Sequence, residues 1–184
     1  MKKIFLLLGM SGSGKTTISK ALILRNSNME HYSIGNKFRE IATEDKALAK
    51  YVFNGKRVPL EMSKRVMKSI VENFKKDIIL IDGYPRDKEQ MEFFSELIAK
   101  NNLLLQNVFE VKIDNEIAKK RVLDRSRGKD DNVKVFESRL KDYTSQMKDI
   151  RLYFKDIVIE IEGNNETLEI VQLIENVIFR EEVL

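Results

Sequence analysis

Short apolar runs alternate along the chain with longer stretches of helical periodicity. The runs typical of buried strands lie at 3–8, near 31–33, at 77–81, at 108–113 and at 156–161. Helical patterns occupy the segments between them, so strands and helices alternate. This order predicts an α/β fold with a five-stranded parallel sheet and helices on both faces. Ligands of such sheets bind beyond the carboxyl ends of the strands.

Two segments interrupt the alternation. Between the second and third predicted strands the chain has only helical patterns for about forty residues, more than a crossover connection requires. We therefore expect residues 33–62 to form a small helical subdomain over the sheet edge. Residues 125–132 form a short, highly charged stretch between two predicted helices, which suits a mobile cover. Both would belong to one domain spanning 1–184.

Composition is consistent with a globular domain of the reducing cytoplasm. The 184 residues are enough for one α/β domain with a core, and 42% are apolar and 34% charged. Because cysteine is absent, disulfides and cysteine-ligated zinc are excluded. The apolar stretch after residues 1–3 is too short for a secretory signal, and no run approaches transmembrane length. We therefore expect a cytoplasmic chain without a membrane partner.

The formal net charge of +4 raises the question of a nucleic-acid partner. The lysines are scattered and alternate with acidic residues, as in 46–76, which is typical of a solvated helix surface. A positive cleft also suits a small phosphate-rich substrate. We expect small anions rather than nucleic acid.

Residues 9–16 fit the phosphate-loop pattern G-x-x-x-x-G-K-[ST] without mismatch, between a predicted strand and a predicted helix. Gly12 and Gly14 would let backbone N–H groups point at an anion, and the helix N-terminus would add positive charge. Lys15 would contact the β- and γ-phosphates, and Thr16 could ligate Mg²⁺. Thr17 either touches a phosphate or caps the helix. The candidate ATP-binding residues here are Gly9, Ser11, Gly12, Ser13, Gly14, Lys15, Thr16 and Thr17.

A carboxylate follows the third predicted strand, whose carboxyl end should lie beside the phosphate loop. Asp82 comes directly after the apolar run 78–81. A carboxylate at that position is placed to hold Mg²⁺ or its waters. A structural aspartate at a strand-end turn is the alternative, and the nearby Lys15 loop favours the metal role.

The residues after that strand carry a family resemblance. Residues 82–86 fit D-G-[FY]-P-R, and Gln90 follows four residues after the arginine, which resembles the adenylate kinase group of nucleoside monophosphate kinases. Other family patterns recur in order over most of the chain. They are a variant of S-T-G-D-x-x-R at 33–39, G-x-x-V-P at 55–59, R-x-x-x-R at Arg121 and Arg125, and an aspartate pair, an arginine and a tyrosine at Asp130, Asp131, Arg139 and Tyr143.

The resemblance implies the three-layer α/β/α fold of P-loop NTPases, with 33–62 binding the acceptor nucleotide and 125–132 forming a short lid. It implies ATP as donor, Mg²⁺ as cofactor held by Thr16 and Asp82, and a monomer. It implies that Arg121 lies against the donor adenine and that Asn165 contacts it through the backbone, although a β–α turn also explains Asn165. The implied catalytic residues are Lys15, Arg86, Arg125 and Arg139. The implied acceptor-binding residues are Ser33, Ile34, Gly35, Arg39, Arg57, Val58, Pro59, Gly83, Tyr84, Arg86, Gln90, Arg127 and Arg139.

The chain departs from the family pattern at three positions. Ile34 stands where adenylate kinases carry threonine, and Asn36 replaces an aspartate. Gly128 occupies the place of a phosphate-binding arginine, and either Arg127 or Lys129 could supply the missing cation. The short lid segment excludes the long zinc-bearing kind.

These patterns lead to a predicted activity, Mg²⁺-dependent transfer from ATP to AMP. The amide of Gln90 can pair with the adenine edge, and Ile34 offers only apolar contact. A UMP/CMP kinase, a broad-specificity relative and a nucleotide-binding relative without transfer activity are the alternatives. The intact set Lys15, Asp82, Arg86 and Arg139 argues against loss of activity. The transfer needs positioning and charge neutralisation more than a protein base, so His31 is interpreted as a packed or surface residue.

Overall fold

The predicted alternation of strands and helices is confirmed by a computed structural model that describes residues 1–125 and 130–180. The strands are β1 Lys3–Leu8, β2 Met29–Ser33, β3 Ile78–Asp82, β4 Leu104–Lys112 and β5 Val158–Glu162. The helices are α1 Lys15–Arg25, α2 Ile34–Ala42, α3 Lys46–Val52, α4 Leu60–Asn73, α5 Lys88–Lys100, α6 Asn115–Asp124, α7 Val133–Tyr153 and α8 Thr167–Ile178. Strand β4 begins before the predicted 108, because its first residues pair with β1 although their side chains are only partly buried.

The five strands form one parallel sheet in the order β2-β3-β1-β4-β5. Strand β1 lies at the centre, and the chain continues from it to one side through β2 and β3 and to the other through β4 and β5. The carboxyl end of β1 is therefore the point where the strand order reverses, which is where such sheets bind ligands. The register brings Leu7 opposite Asp82 and Leu8 opposite Glu110.

Successive apolar side chains of a strand point to opposite faces of the sheet, so they fill two cores, one on each face. Ile4, Leu6 and Leu8 face a core shared with α4, α5 and α7. Phe5 and Leu7 face a second core shared with α1 and α8. A central strand that is buried on both faces needs a continuous apolar sequence, which is why β1 is so apolar. The three-layer α/β/α arrangement predicted for the chain is confirmed.

The helical interruption between β2 and β3 consists of α2, α3 and α4. The predicted boundary at residue 62 falls inside α4, which runs to Asn73. Its apolar stripe, including Val66, Met67 and Ile70, packs on the core of the sheet, so this helix belongs as much to the core as to the insertion. None of the helices in the described part of the chain is long and apolar enough to cross a membrane.

Candidate active site

The phosphate loop connects β1 to α1 and requires glycine at two closely packed positions. Gly9 has a φ of +149°, and a Cβ there would lie 2.7 Å from the Val111 carbonyl oxygen. Gly12 has a φ of +88°, and a Cβ there would lie 2.3 Å from the Ala118 carbonyl oxygen. Side chains would therefore strain the backbone and collide with β4 and α6. The glycine spacing thus serves packing as well as anion binding.

The Lys15 side chain forms hydrogen bonds with several residues of the phosphate loop. Its Nζ donates to the carbonyl oxygens of Gly9 at 2.7 Å and Met10 at 2.8 Å, and to Ser13 Oγ at 3.3 Å. The ammonium group therefore lies within the curve of the loop, at the first turn of α1. This is where the motif predicts that phosphate oxygens bind.

Asp82, at the end of β3, is a buried carboxylate on the wall of a cavity that also contacts the phosphate loop. Burial would raise its pKa, but the hydrogen bond with His31 and the charge of Lys15 lower it below the ordinary value. The His31 Nε2 to Asp82 Oδ2 distance is 3.1 Å. Asp82 is therefore ionised, and Thr16 lines the same cavity. Both offer the hard oxygen ligands that Mg²⁺ prefers.

Two arginines converge on the start of α2. A Cβ on Gly35 would lie 3.6 Å from Arg39 Nη1 and 3.7 Å from Arg86 Nη2. Arg86 Nε donates to the Gly83 carbonyl at 2.9 Å. The Arg86 side chain is exposed towards the cavity, and partial desolvation by the surrounding protein and the charge of Arg139 lower its pKa. An anion bound here would relieve the repulsion between these cations.

Asp130 joins two of the predicted phosphate-binding arginines. Its Oδ2 accepts a hydrogen bond from Arg39 Nε at 3.1 Å and one from Arg139 Nη2 at 2.6 Å. Burial would raise the pKa of Asp130, but the bond from Arg139 and the charge of Arg39 lower it below the ordinary value. Arg139 also donates to the Val52 carbonyl at 3.2 Å. The insertion and α7 therefore meet at this carboxylate.

The adjacent Asp131 binds Arg125 in a two-pronged ion pair. Arg125 Nε lies 3.0 Å from both carboxylate oxygens, and Nη2 lies 2.6 Å from Oδ1. The planar guanidinium matches a carboxylate in this way, which fixes its orientation as well as its position. Arg127, Gly128 and Lys129 of the predicted lid lie outside the described residues.

Arg57, predicted to bind the acceptor, is held by carboxylates. It forms an ion pair with Asp142 of α7 and another with Asp87 at 3.4 Å, where Asp87 caps α5. Its guanidinium is therefore compensated within the protein. Arg57 and Val58 line the cavity, so the structure places Arg57 as a fixed part of the wall, bridging the insertion and α7.

Gln90 shapes the loop that carries Arg86. Its Oε1 accepts a hydrogen bond from the Arg86 backbone N–H at 2.8 Å, and its own N–H donates to Asp87 at 2.9 Å. The buried Tyr84 donates its hydroxyl to the Gln90 carbonyl at 3.2 Å. The Gln90 amide is the group predicted to pair with adenine, and its oxygen is therefore already used to position Arg86.

Most of the predicted site residues line one cavity beyond the carboxyl ends of β1, β2 and β3. Those that do are Gly9, Ser11, Gly12, Gly14, Lys15, Thr16, Thr17, Ser33, Gly35, Arg39, Arg57, Val58, Asp82, Gly83, Arg86, Arg125 and Arg139. Ser13, Ile34, Pro59 and Tyr84 each neighbour a lining residue in the sequence, and Gln90 is hydrogen-bonded to the backbone of the lining residue Arg86. Arg121 reaches the turn after β5, where its Nη1 lies 3.4 Å from the Gly163 carbonyl, two residues before Asn165.

Comparison with known proteins finds relatives that match nearly the whole chain. A family model described as "AAA domain" matches residues 8–137. An adenylate kinase of Nautilia profundicola is 41% identical, and the match covers 97% of each chain. Those of a Nitratiruptor species and of Helicobacter hepaticus are each 38% identical, with at least 97% of each chain covered. The chain belongs to the adenylate kinase family.

Sequence reasoning missed several residues of this family member's site. The interpretation of His31 as a packed or surface residue leaves out its hydrogen bond with Asp82. Asp142, Gln146 and Met147 of α7 line the cavity without having been predicted. The α7 residues could have been predicted from Arg139. If Arg139 faces the site, the positions three, seven and eight residues later lie on the same face of the helix.

Replacement of Asp130 by asparagine tests its role in holding Arg39 and Arg139. We expect Asp130→Asn to lower the free energy of unfolding at pH 7 by about 1–3 kcal/mol, because two charge-assisted hydrogen bonds lose their anion. The folded-state pKa of Asp130 is below the unfolded value of about 3.9. Its stabilisation is therefore present above the unfolded pKa and is lost as the pH falls through the folded pKa. Urea unfolding between pH 7 and pH 3 should show the difference from wild type shrinking with acid.

The exposed Asp149 of α7 gives the control for Asp130. Asp149→Asn should change the free energy of unfolding by less than about 0.5 kcal/mol at any of these pH values. Equal effects of the two substitutions would contradict a specific role for Asp130.

Proposed function

We propose that the chain transfers the γ-phosphoryl group of ATP to AMP and so forms two molecules of ADP, with Mg²⁺. The observation that carries the proposal is the single cavity that brings the Lys15 loop, Asp82 and the arginines Arg39, Arg86 and Arg139 together. A triphosphate on the loop would point its terminal phosphate at the arginines. The relatives named adenylate kinase support the same activity.

The donor side follows from the phosphate loop. Backbone N–H groups and Lys15 would hold the β- and γ-phosphates. Thr16 and the ionised Asp82 fit Mg²⁺, with phosphate oxygens and waters as the remaining ligands. The ion would neutralise charge that develops on the transferred group. Arg121 and Asn165, at the turn after β5, would contact the donor adenine.

The acceptor side follows from the arginines. Arg39 and Arg86 would bind the AMP phosphate, and Arg139 and Arg125 would stabilise the group in transfer. The attacking oxygen of AMP is already an anion near neutral pH, so the protein needs no general base. The protein supplies orientation, charge and exclusion of water. The insertion 33–62 would close over AMP and the segment 125–132 over ATP.

Gln90 and its surroundings favour adenine as the acceptor base. Its Oε1 accepts from the Arg86 N–H, so its Nε2 is the group we assign to adenine N1, an acceptor. Guanine carries a hydrogen at N1 and would leave that donor unpaired, which costs about 1–3 kcal/mol. Ile34, which stands where adenylate kinases carry threonine, is the first residue of α2 and is buried in the core. It would therefore affect base choice less than Gln90.

A coupled assay with four monophosphates tests the acceptor. We expect kcat/KM for AMP to exceed that for GMP, CMP and UMP by at least about tenfold, equivalent to about 1.4 kcal/mol. Gln90→Ala should shrink this ratio and leave KM for ATP within about twofold. A better rate with CMP or UMP would contradict the AMP assignment and support a pyrimidine kinase. Binding of ATP and AMP without ADP formation would support a relative without transfer activity.

The control for Gln90 is the exposed Gln172 on α8. Helix α8 packs with α1 on the face of the sheet opposite to α5, which carries Gln90. Gln172→Ala should leave the ratio of kcat/KM values unchanged. A fall in the AMP preference with this variant would show that the assay reports general damage rather than base recognition.

We propose a cytoplasmic monomer whose partners are small nucleotides. Sedimentation with and without a two-substrate analogue, in which ATP and AMP are joined through their phosphates, tests the monomer. A mass of two chains at micromolar concentration would contradict it.

A further inference from the structure

A buried carboxylate on β4 takes no part in the proposed chemistry. The side chain of Glu110 is 0% exposed. In the sheet register, the residue lies opposite Leu8, the last residue of β1 before the phosphate loop. A charge without solvent is costly unless hydrogen bonds and an opposite charge compensate it. Its partners therefore indicate what it does.

Both partners of Glu110 come from α7. Arg151 donates Nε to Oε2 at 2.7 Å and Nη2 to Oε1 at 2.6 Å. Tyr143 donates its hydroxyl to Oε1 at 2.7 Å. Burial would raise the pKa of Glu110, but Arg151 and Tyr143 lower it, so the group is a carboxylate. Burial and this anion raise the pKa of Tyr143, which keeps its hydroxyl protonated as a donor.

The same helix carries part of the active site. Arg139 lies one turn before Tyr143, and the two residues line the active-site cavity together. Between Tyr143 and Arg151, the buried Met147 and Ile150 pack on the core of the sheet. Apolar contacts are not directional, whereas charge-assisted hydrogen bonds fix distance and angle. The three hydrogen bonds from Tyr143 and Arg151 to Glu110 therefore define how α7 lies along the sheet.

We propose that Glu110 is a positioning residue that holds Arg139 at the point of phosphoryl transfer, acting through Tyr143 and Arg151. The inference rests on the proposed function for its kinetic consequence. Stability alone is a weak reason for such a group, because a buried ion pair is often no more stabilising than apolar residues of the same volume. A displacement of about 1 Å at a catalytic group can lower the rate on the order of 10²-fold.

The test uses substitutions at the helix end of the network, because a change at Glu110 itself risks misfolding. Tyr143→Phe keeps the ring on the cavity wall and removes only the hydroxyl. Arg151→Met keeps a stem on a side chain that is 41% exposed and removes the charge. We expect each to lower kcat about fivefold to tenfold, with KM for ATP and for AMP within twofold of wild type. Arg151→Lys should restore part of kcat.

Two further measurements separate positioning from general loss of structure. The affinity for the two-substrate analogue should fall by about the same factor as kcat, while the affinity for AMP alone stays within twofold. Crystal structures of both variants should show Arg139 displaced from Asp130. Arg25→Met, which breaks an ion pair between α1 and α8 at 2.9 Å, is the control and should change none of these quantities.

The possible results separate the inference from the proposed function. A wild-type protein that does not phosphorylate AMP overturns the proposed function, and the position of Arg139 in the variant structures still decides the inference. Folded variants with unchanged kcat, or with Arg139 in its wild-type place, overturn the inference and leave the proposed function standing.

Discussion

Lys15→Met should leave the protein folded and lower kcat on the order of 10²-fold or more. The ammonium group lies within the phosphate loop, bound to the Gly9 and Met10 carbonyls. These bonds hold the group in place, and a preorganised charge of this kind contributes more in the transition state than in bound substrate. Methionine keeps the length of the stem and removes the charge. Steady-state kinetics at saturating ATP and AMP would measure the loss, and circular dichroism would check the fold.

The exposed Lys20 lies on the same helix and provides the comparison. Lys20→Met should leave kcat within about twofold of wild type. Near-normal turnover of Lys15→Met, with the fold intact, would remove Lys15 from the mechanism.

Arg86→Ala should lower kcat on the order of 10²-fold and also raise KM for AMP. Arg86 and Arg39 meet at Gly35, and the bond from Arg86 Nε to the Gly83 carbonyl aims the guanidinium at that point. The side chain would therefore contact the AMP phosphate before transfer and the shared charge during it. Initial rates over a grid of ATP and AMP concentrations separate the two effects.

Arg65, exposed on α4, serves as the matched variant for Arg86. Arg65→Ala should change neither kcat nor KM beyond about twofold. If Arg86→Ala raised only KM for AMP, Arg86 would bind the acceptor without contributing to the transition state.

The elements of the fold were largely predictable because their signals are local. The phosphate loop is encoded by spacing within eight residues, and each strand by a short apolar run. The end of α4 was not predictable in this way, because packing on the sheet extends the helix beyond the predicted boundary of the insertion at residue 62. Glu110 is a charged residue within an apolar run. A polar residue in such a run would be expected to face solvent, yet the Glu110 side chain is fully buried.

The partners of the site residues depend on contacts between distant parts of the chain. Arg57 and Asp142 are 85 residues apart, and His31 and Asp82 are 51 apart. Both pairs form because the strand order brings β2 beside β3 and because α7 contacts residues 52–57 of the insertion. Neither arrangement can be inferred from periodicity. The sequence therefore predicted arginines that line the cavity, but not Asp142 and Asp87, the carboxylates that hold Arg57.

The anchoring of α4 in the sheet core has a consequence for the exchange of parts between relatives. Strand β2 ends at Ser33, paired with Asp82, and α4 begins at Leu60, so the two joints of the segment 34–59 are the end of a sheet strand and the start of a helix that packs on the core. A chimera that takes only this segment from a relative with another acceptor would keep both joints. The grafted segment would have to match the buried Ile34, Phe38 and Val52 in volume. A cassette of 26 residues would then exchange this wall of the acceptor site, while Arg86 and Gln90, to which we assign the choice of base, would stay with the recipient chain.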